Sequence, residues 1–243
     1  MGLQRISYPD RESWLIGRED GLGGSDAAAV AGYSKWKTST ALWSEKTHRI
    51  VAKDKSGLEY VQRGINAEAH IRNFFAAMHP EFEISYHAYD ILFQEERPWL
   101  RATLDGEILE TGWKEPPEGA KVVHIPVDGE PWEEPYARRV PYIRKGALEV
   151  KTSEPKGRAG WDEWNGKVPA GYYCQCLHLL LATGFDFVIL YAALYGKDES
   201  ITLRPYTLER EDCEKDMEWL LQKETEFWRC VQTDTSPGAI IRF

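Results

Sequence analysis

The longest apolar stretch, residues 185–194, sets the first limit on what this chain can become. It falls well short of the ~18 residues that a membrane-crossing helix needs, and it reads as a buried strand. A helix precedes it. Pro169 fits that helix's first turn and Gly184 its C-terminal stop. Ala170, Tyr173, Cys174, Leu177, Leu180 and Leu181 make its apolar face.

The strongest helical pattern lies at 59–78. Gly64, Ala67, Glu68, Ile71, Phe75 and Met78 follow the spacing of one helix face, and His79-Pro80 ends it. Shorter helices are expected at 10–18, at 26–31 capped by Ser25, and from a cap at Ser39 to about His48. A long amphipathic helix is expected at 209–231. Residues 53–57 read as a loop. Strands are expected at 82–86, 90–93, 100–104 and 107–109, close enough to suggest an antiparallel meander. Further strands fall at 146–152, 185–195 and 201–207, and 153–167 reads as a polar loop. Strands and helices mix without regular βαβ alternation. The expected fold is therefore α/β or α+β: a central mixed β-sheet flanked by helices.

Residues 111–145 differ in composition, with six prolines and a strand-like segment at 121–125. They read as a Pro-rich insertion, a hairpin with ordered flanks, within a single domain spanning 1–243. At 42% hydrophobic, such a chain can build a substantial core. The start of the chain has no apolar leader segment, so no secretory signal is expected. Cys174 and Cys176 are two apart, while Cys213 and Cys230 stand alone. Neither a disulfide framework nor a zinc pattern results. Structural thiols in a reducing, cytoplasmic compartment are the expectation.

The formal charge of −9 argues against a nonspecific polyanion binder. It is unevenly spread. Residues 209–229 hold eight acids and four bases, a net −4. The pairs Lys35/Lys37, Lys53/Lys55, Arg138/Arg139, Arg144/Lys145 and Lys156/Arg158 leave room for a locally positive groove.

Charged residues in apolar settings carry the chemical signal. In residues 146–152, Glu149 and Lys151 share one face of a strand, and Leu148 and Val150 share the other. Exposed strand edges also carry such pairs. Asp105 before Gly106 suits a turn, or the end of a neighbouring strand. Two carboxylates and a lysine would be the minimal set for metal-assisted phosphodiester cleavage. The carboxylates hold Mg²⁺ through oxygen, and the lysine serves the attacking water or the charge of the transition state. Glu68 sits on an apolar helix stripe, where it is either paired with Arg72 or part of a site. Gln175 reads as a surface glutamine and His178 as a packing or surface histidine. Trp161 and Trp164 read as packing residues, with base stacking as the other possibility.

Taken in order, Arg18, then Ser25-Asp26-Ala27, Gly64-x-x-x-Glu68, Asp105-Gly106, Glu149-x-Lys151 and Tyr172-x-x-Gln175 resemble the YqaJ/lambda-exonuclease family of viral recombination nucleases. That family lies within the PD-(D/E)XK superfamily. The resemblance runs from residue 14 to 195 and no single motif is decisive. It implies a central mixed sheet flanked by helices, and digestion of linear duplex DNA from a 5′ end to leave 3′ single-stranded tails. It implies Mg²⁺, with Mn²⁺ as substitute, held by Asp105, Glu149 and the Val150 carbonyl. Lys151 would be the catalytic lysine, Glu68 would lie near the metal, and Gln175 would support the water or Lys151. Arg18, Ser25 and Thr103 would hold the 5′-phosphate, Thr103 standing where the lambda enzyme has serine. A ring-shaped homotrimer threading DNA and a single-strand annealing partner are implied as well, the basic pairs facing the channel.

Between Asp105 and Glu149 lie 43 residues, more than the compact hairpin of the family. This insertion could contact DNA, a partner or a neighbouring subunit, or be inert. The alternatives to an exonuclease are an endonuclease on the same core and a non-catalytic DNA-end-binding adaptor. Arg18 and Ser25 favour an end-dependent enzyme. Intact Asp105, Glu149 and Lys151 argue against a mere binder, and the cysteine spacing argues against an iron–sulphur nuclease.

Overall fold

The computed structural model describes residues 2–51 and 57–238. The loop expected at 53–57 and the Lys53/Lys55 pair lie outside the described residues, Gly57 apart. In chain order the first elements are β1 (Leu3–Ser7), α1 (Arg11–Glu19), β2 (Leu22–Gly23), α2 (Gly24–Val30), α3 (Ser39–Lys46) and α4 (Glu59–Met78). Strands β3 (Phe82–Ser85), β4 (Asp90–Gln94), β5 (Leu100–Arg101), β6 (Gly106–Lys114), β7 (Lys121–His124), β8 (Trp132–Pro135) and β9 (Val140–Ser153) follow. The remainder comprises α5 (Gly157–Asp162), α6 (Ala170–Thr183), β10 (Phe187–Tyr195), β11 (Ile201–Glu209), a 3-10 turn (Glu211–Cys213) and α7 (Glu214–Gln232).

The main sheet has the order β11-β10-β9-β6-β3. β9 and β10 run parallel, and the other pairs run antiparallel. β10 is covered on both faces, which explains its unbroken apolar sequence. Val188, Leu190, Ala192 and Leu194 pack with Leu177 and Leu180 of α6. Phe187, Ile189, Tyr191 and Ala193 pack with Ile71 and Phe75 of α4. A third cluster, including Leu22, Leu42, Trp43 and Phe227, joins β2, α3 and α7. Among the described residues, no helix is long and apolar enough to cross a membrane.

Several local expectations are corrected. The strands between residues 82 and 109 do not form one meander. β4 pairs with β1, and β5 pairs with β2, so only β3 and β6 share the main sheet. β1 gave no sequence signal because its five residues are all exposed. Ser25 lies inside α2 and caps nothing. The helix starts from Gly23, whose N–H donates to Asp26 Oδ2 at 3.2 Å. Thr38, not Ser39, caps α3 by accepting from Ala41 N at 3.1 Å. The polar loop after β9 contains α5, and Glu209 closes β11 instead of opening the last helix.

Within 111–145, β6 and β9 extend as a ladder to Lys114↔Val140, and β7 and β8 form a second hairpin beyond it. Several ion pairs, such as Lys121–Glu133 and Arg139–Glu115, join acids and bases within the segment. At its base Arg144 joins Glu110 and Glu209.

Trp164 is buried in the core and Trp161 packs against it, which is the packing role expected of them. All four cysteines are free. Gly146 marks where β9 enters the core, and a Cβ there would overlap the ring of buried Phe187. Gly146→Ala should therefore destabilise the fold by about 2 kcal/mol. Urea unfolding would show a lower midpoint at unchanged slope, and an unchanged midpoint would contradict this packing.

Candidate active site

The register of the main sheet brings the site together. The β6–β9 ladder pairs Gly106 with Leu148, so Asp105, one residue before β6, emerges beside Glu149. The Val150 N–H donates to Asp105 Oδ2 at 2.8 Å and fixes that carboxylate. Leu148 and Val150 face α4, while Ala147 belongs to the cluster under α6. Strand alternation places Glu149 and Lys151 on the α6 side as well.

Glu149 is 2% exposed. Its Oε1 accepts from Lys151 Nζ and, at 2.6 Å, from Gln175 Nε2 on α6. Lys151 Nζ also lies 5.7 Å from the centre of the Tyr172 ring. Gln175 is thus not a surface glutamine; it orients Glu149. A close approach of α2 to α6 makes room for this. A Cβ on Gly24 would meet Gln175 Cγ at 3.0 Å. Nothing in the sequence around Gly24 signalled that contact.

A cavity of about 220 Å³ opens between α4 and the ends of β6 and β9, lined in part by Gly64, Glu68, Asp105, Val150 and Lys151. Glu68 enters it from α4 and also pairs with Arg72 at 3.3 Å. Glu68 thus makes the ion pair and also lines the cavity. Burial raises the Glu68 carboxyl above its ordinary range, and the charge of Asp105 adds to that. Burial likewise raises Asp105, against the pull of Lys151 and the Val150 N–H. Glu149 is pushed up to about 7, mainly by burial and further by Asp105. For Lys151, the charges of Glu149 and Asp105 outweigh burial and hold the ammonium protonated.

Arg18, Ser25 and Thr103 lie at the ends of three other segments. Arg18 stacks over Trp14, 4.6 Å from the ring centre, and reaches toward Gly23. Burial lowers its pKa, while the charges of Asp26 and Glu149 act to raise it. Ser25 is exposed on the first turn of α2, directly after Gly24. Thr103 is partly exposed, two residues before Asp105. Sequence reading gave no role to Lys46. Its ammonium donates to the Gly21 carbonyl at 2.6 Å and pairs with Asp26 at 3.3 Å, tying the turn after Arg18 to α2.

His178 is no ligand. It is fully buried, with Nδ1 2.7 Å from Glu224 of α7 and Nε2 3.1 Å from the Arg101 carbonyl. Two acceptors on one ring suit the imidazolium, and Glu224 raises the His178 pKa against the opposing effect of burial.

The donor set fits a hard divalent cation. Asp105 offers oxygen at the cavity and Glu149 stands beside it across the β6–β9 register, and both carboxyls favour a positive charge or proton nearby. Among the described residues, no three His, Cys, Asp or Glu side chains form a closed cage. Mg²⁺ does not require one, since it keeps waters and takes one or two carboxylates.

Without a cation, ionising Glu149 opposes folding. A Glu149 pKa near 7 exceeds the unfolded value of 4.5, so the native state binds the extra proton between those values. Stability in EDTA should fall by about 3 kcal/mol from pH 4.5 to pH 7. Chemical denaturation across that range would check it. Glu149→Gln should flatten the slope, and an equal slope in both proteins would refute the assignment.

Comparison with known proteins places the chain in a family. A structure of an alkaline exonuclease, LHK-Exo from Laribacter hongkongensis, superposes with a TM-score of 0.58 at 14% identity, covering 92% of this chain and 94% of that one. The same exonuclease in complex with dAMP gives 0.59 over the same coverage. The shared architecture is a PD-(D/E)XK-type fold. The uncharacterised protein YqaJ of Bacillus subtilis strain 168 is 26% identical over 232 residues, 93% of this chain. The chain spans 58% of the length of that relative. The YqaJ-like viral recombinase domain matches residues 13–186, well over half the chain, and the chain belongs to that family.

Proposed function

We propose that the protein is a Mg²⁺-dependent exonuclease that digests linear duplex DNA in the 5′→3′ direction and leaves 3′ single-stranded tails for homologous recombination. One observation carries this reading: Asp105, Glu149 and Lys151 converge at one end of the sheet, with Gln175 orienting Glu149. Asp105, Glu149 and the Val150 carbonyl would hold the cation, and Mn²⁺ is a plausible substitute. When bound, the cation would polarise the scissile phosphate and acidify water.

The chain's own residues supply the rest. Lys151, held protonated by its neighbours, offsets charge as the phosphate becomes pentavalent and orients the attacking water. Gln175 holds the Glu149 carboxylate in place beside Asp105. Glu68 stands in the α4 wall of the cavity, where it would face water held on the cation. Arg18, Ser25 and Thr103 would hold a 5′-phosphate. The stack on Trp14 fixes the Arg18 guanidinium, and Ser25 is exposed on the first turn of α2. The partners in this reading are duplex ends, a single-strand annealing protein and further copies of the chain in a trimeric ring.

Digestion of linear duplex DNA with 5′-phosphate or 5′-hydroxyl ends, beside a closed circle, tests the activity. Linear DNA alone should disappear, faster from the 5′-phosphate, and EDTA should stop it. Lys151→Ala should slow it by about a hundredfold or more. Cutting of the circle would instead make the protein an endonuclease, and end binding without cleavage would make it a binder.

The phosphate grip has its own test. Arg18→Ala should lower the rate on 5′-phosphate ends by about tenfold and leave 5′-hydroxyl ends nearly unchanged. Equal losses on both ends would remove Arg18 from that role. Thermal unfolding checks the cation. Mg²⁺ should raise the Tm at pH 8, where the carboxylates are free, and have little effect near pH 4.5. The same rise at both values would place the ion elsewhere.

A further inference from the structure

Arg72 leaves α4 one turn after Glu68, with a side chain only 11% exposed. Its Nη1 donates to the main-chain carbonyl of Asp105 at 2.7 Å and to Glu68 Oε1 at 3.3 Å. The guanidinium lies flat over Tyr86, 3.7 Å from the ring centre. An ordinary i,i+4 ion pair on a helix surface has neither the aromatic platform nor the contact across to another element.

The location gives this arrangement its meaning. Asp105 stands just before the β6–β9 ladder begins, so strand pairing does not fix its carbonyl. The Val150 N–H holds its carboxylate from β9, and Arg72 holds its carbonyl from α4. Glu68 is close enough to feel the charge of Asp105, and the positive charge of Arg72 acts on both. Two acidic groups facing one cavity, with a guanidinium fixed against both residues, are arranged as for a bound cation. Nucleases of the two-metal type fill such a place with a second ion. Here a side chain fills it.

We infer that Arg72 stands in for a second cation: in the DNA-free protein it neutralises Glu68 and anchors Asp105, so that the site takes up one divalent ion. The inference rests on the cation site proposed above at Asp105 and Glu149. Removing the guanidinium frees a carboxylate and deletes a positive charge, and both changes favour an extra cation beside Glu68. Lysine at this position keeps the charge but not the flat stack on Tyr86.

The fold itself does not hang on Arg72, since Ile71 and Phe75 already bury α4 against the sheet. Calorimetric titration of the DNA-free protein with Mn²⁺ counts the ions directly, with electron paramagnetic resonance as a second count. Wild type and Arg72→Lys should bind one ion, and Arg72→Gln should bind two. Glu68→Gln should leave the count at one with affinity changed less than threefold. Adding Glu68→Gln to Arg72→Gln should return the count from two to one. Two ions in wild type, or one in a folded Arg72→Gln, would overturn the inference. If Arg72→Gln does not fold, Glu68→Gln still decides: loss of the single ion, or a tenfold weaker one, would make Glu68 a direct ligand and end the idea. A wild type that binds no ion at all would fail earlier, at the cation site itself.

Discussion

A carboxylate buried between a sheet and a helix is costly unless something holds it, and much of this molecule can be understood as what keeps Glu149 in place. Lys151, two residues along the same strand face, supplies the opposite charge, and Gln175 supplies a neutral donor from α6. Each support depends on another level of structure. Lys151 needs β9 straight through the core between β10 and β6. Gln175 needs α6 at a fixed height, which the close contact with Gly24 and the His178–Glu224 pair both help to define. The acid that burial makes difficult to ionise is the acid with most to gain from a divalent ion.

The two faces of the sheet divide the labour. The α6 face carries Glu149, Lys151 and Gln175, and behind them α7 ties back through His178 and Glu224. The α4 face carries Glu68 and Arg72, with Ile71 and Phe75 as its packing base. Asp105 leaves the sheet between the two and is held from both sides. The cavity is therefore a seam between layers, not a pocket within one.

Sequence legibility followed physical cause. α4, α6 and β10 were legible because burial writes a period into their side chains. β1 was not, since all its residues are exposed and it is held to β4 by backbone pairing and the Arg5–Asp90 ion pair, which leave no apolar period. The caps at Gly23 and Thr38 were each misplaced by a residue or two, because Ser25 and Ser39 look like better caps in isolation. Among site residues, the shared face of Glu149 and Lys151 followed from strand alternation alone. Asp105 became more than a turn only through the antiparallel register, a relation across 43 residues that no local pattern contains. The bond of Arg72 to the Asp105 carbonyl spans α4 and the sheet, and it too was hidden until the layers met.

The position of β10 has a consequence for how this family can be divided. The family match ends at residue 186, and β10 begins at Phe187. Yet β10 is the strand along which Glu149 and Lys151 run, Leu190 beside Glu149 and Ala192 beside Lys151. A piece cut at the family boundary would leave the acid-bearing strand as an open sheet edge, its inner face opened to water where β10 had covered it. The span that the family match covers and the unit that can exist as an object in water thus have different ends. In this chain the second is longer by at least one strand.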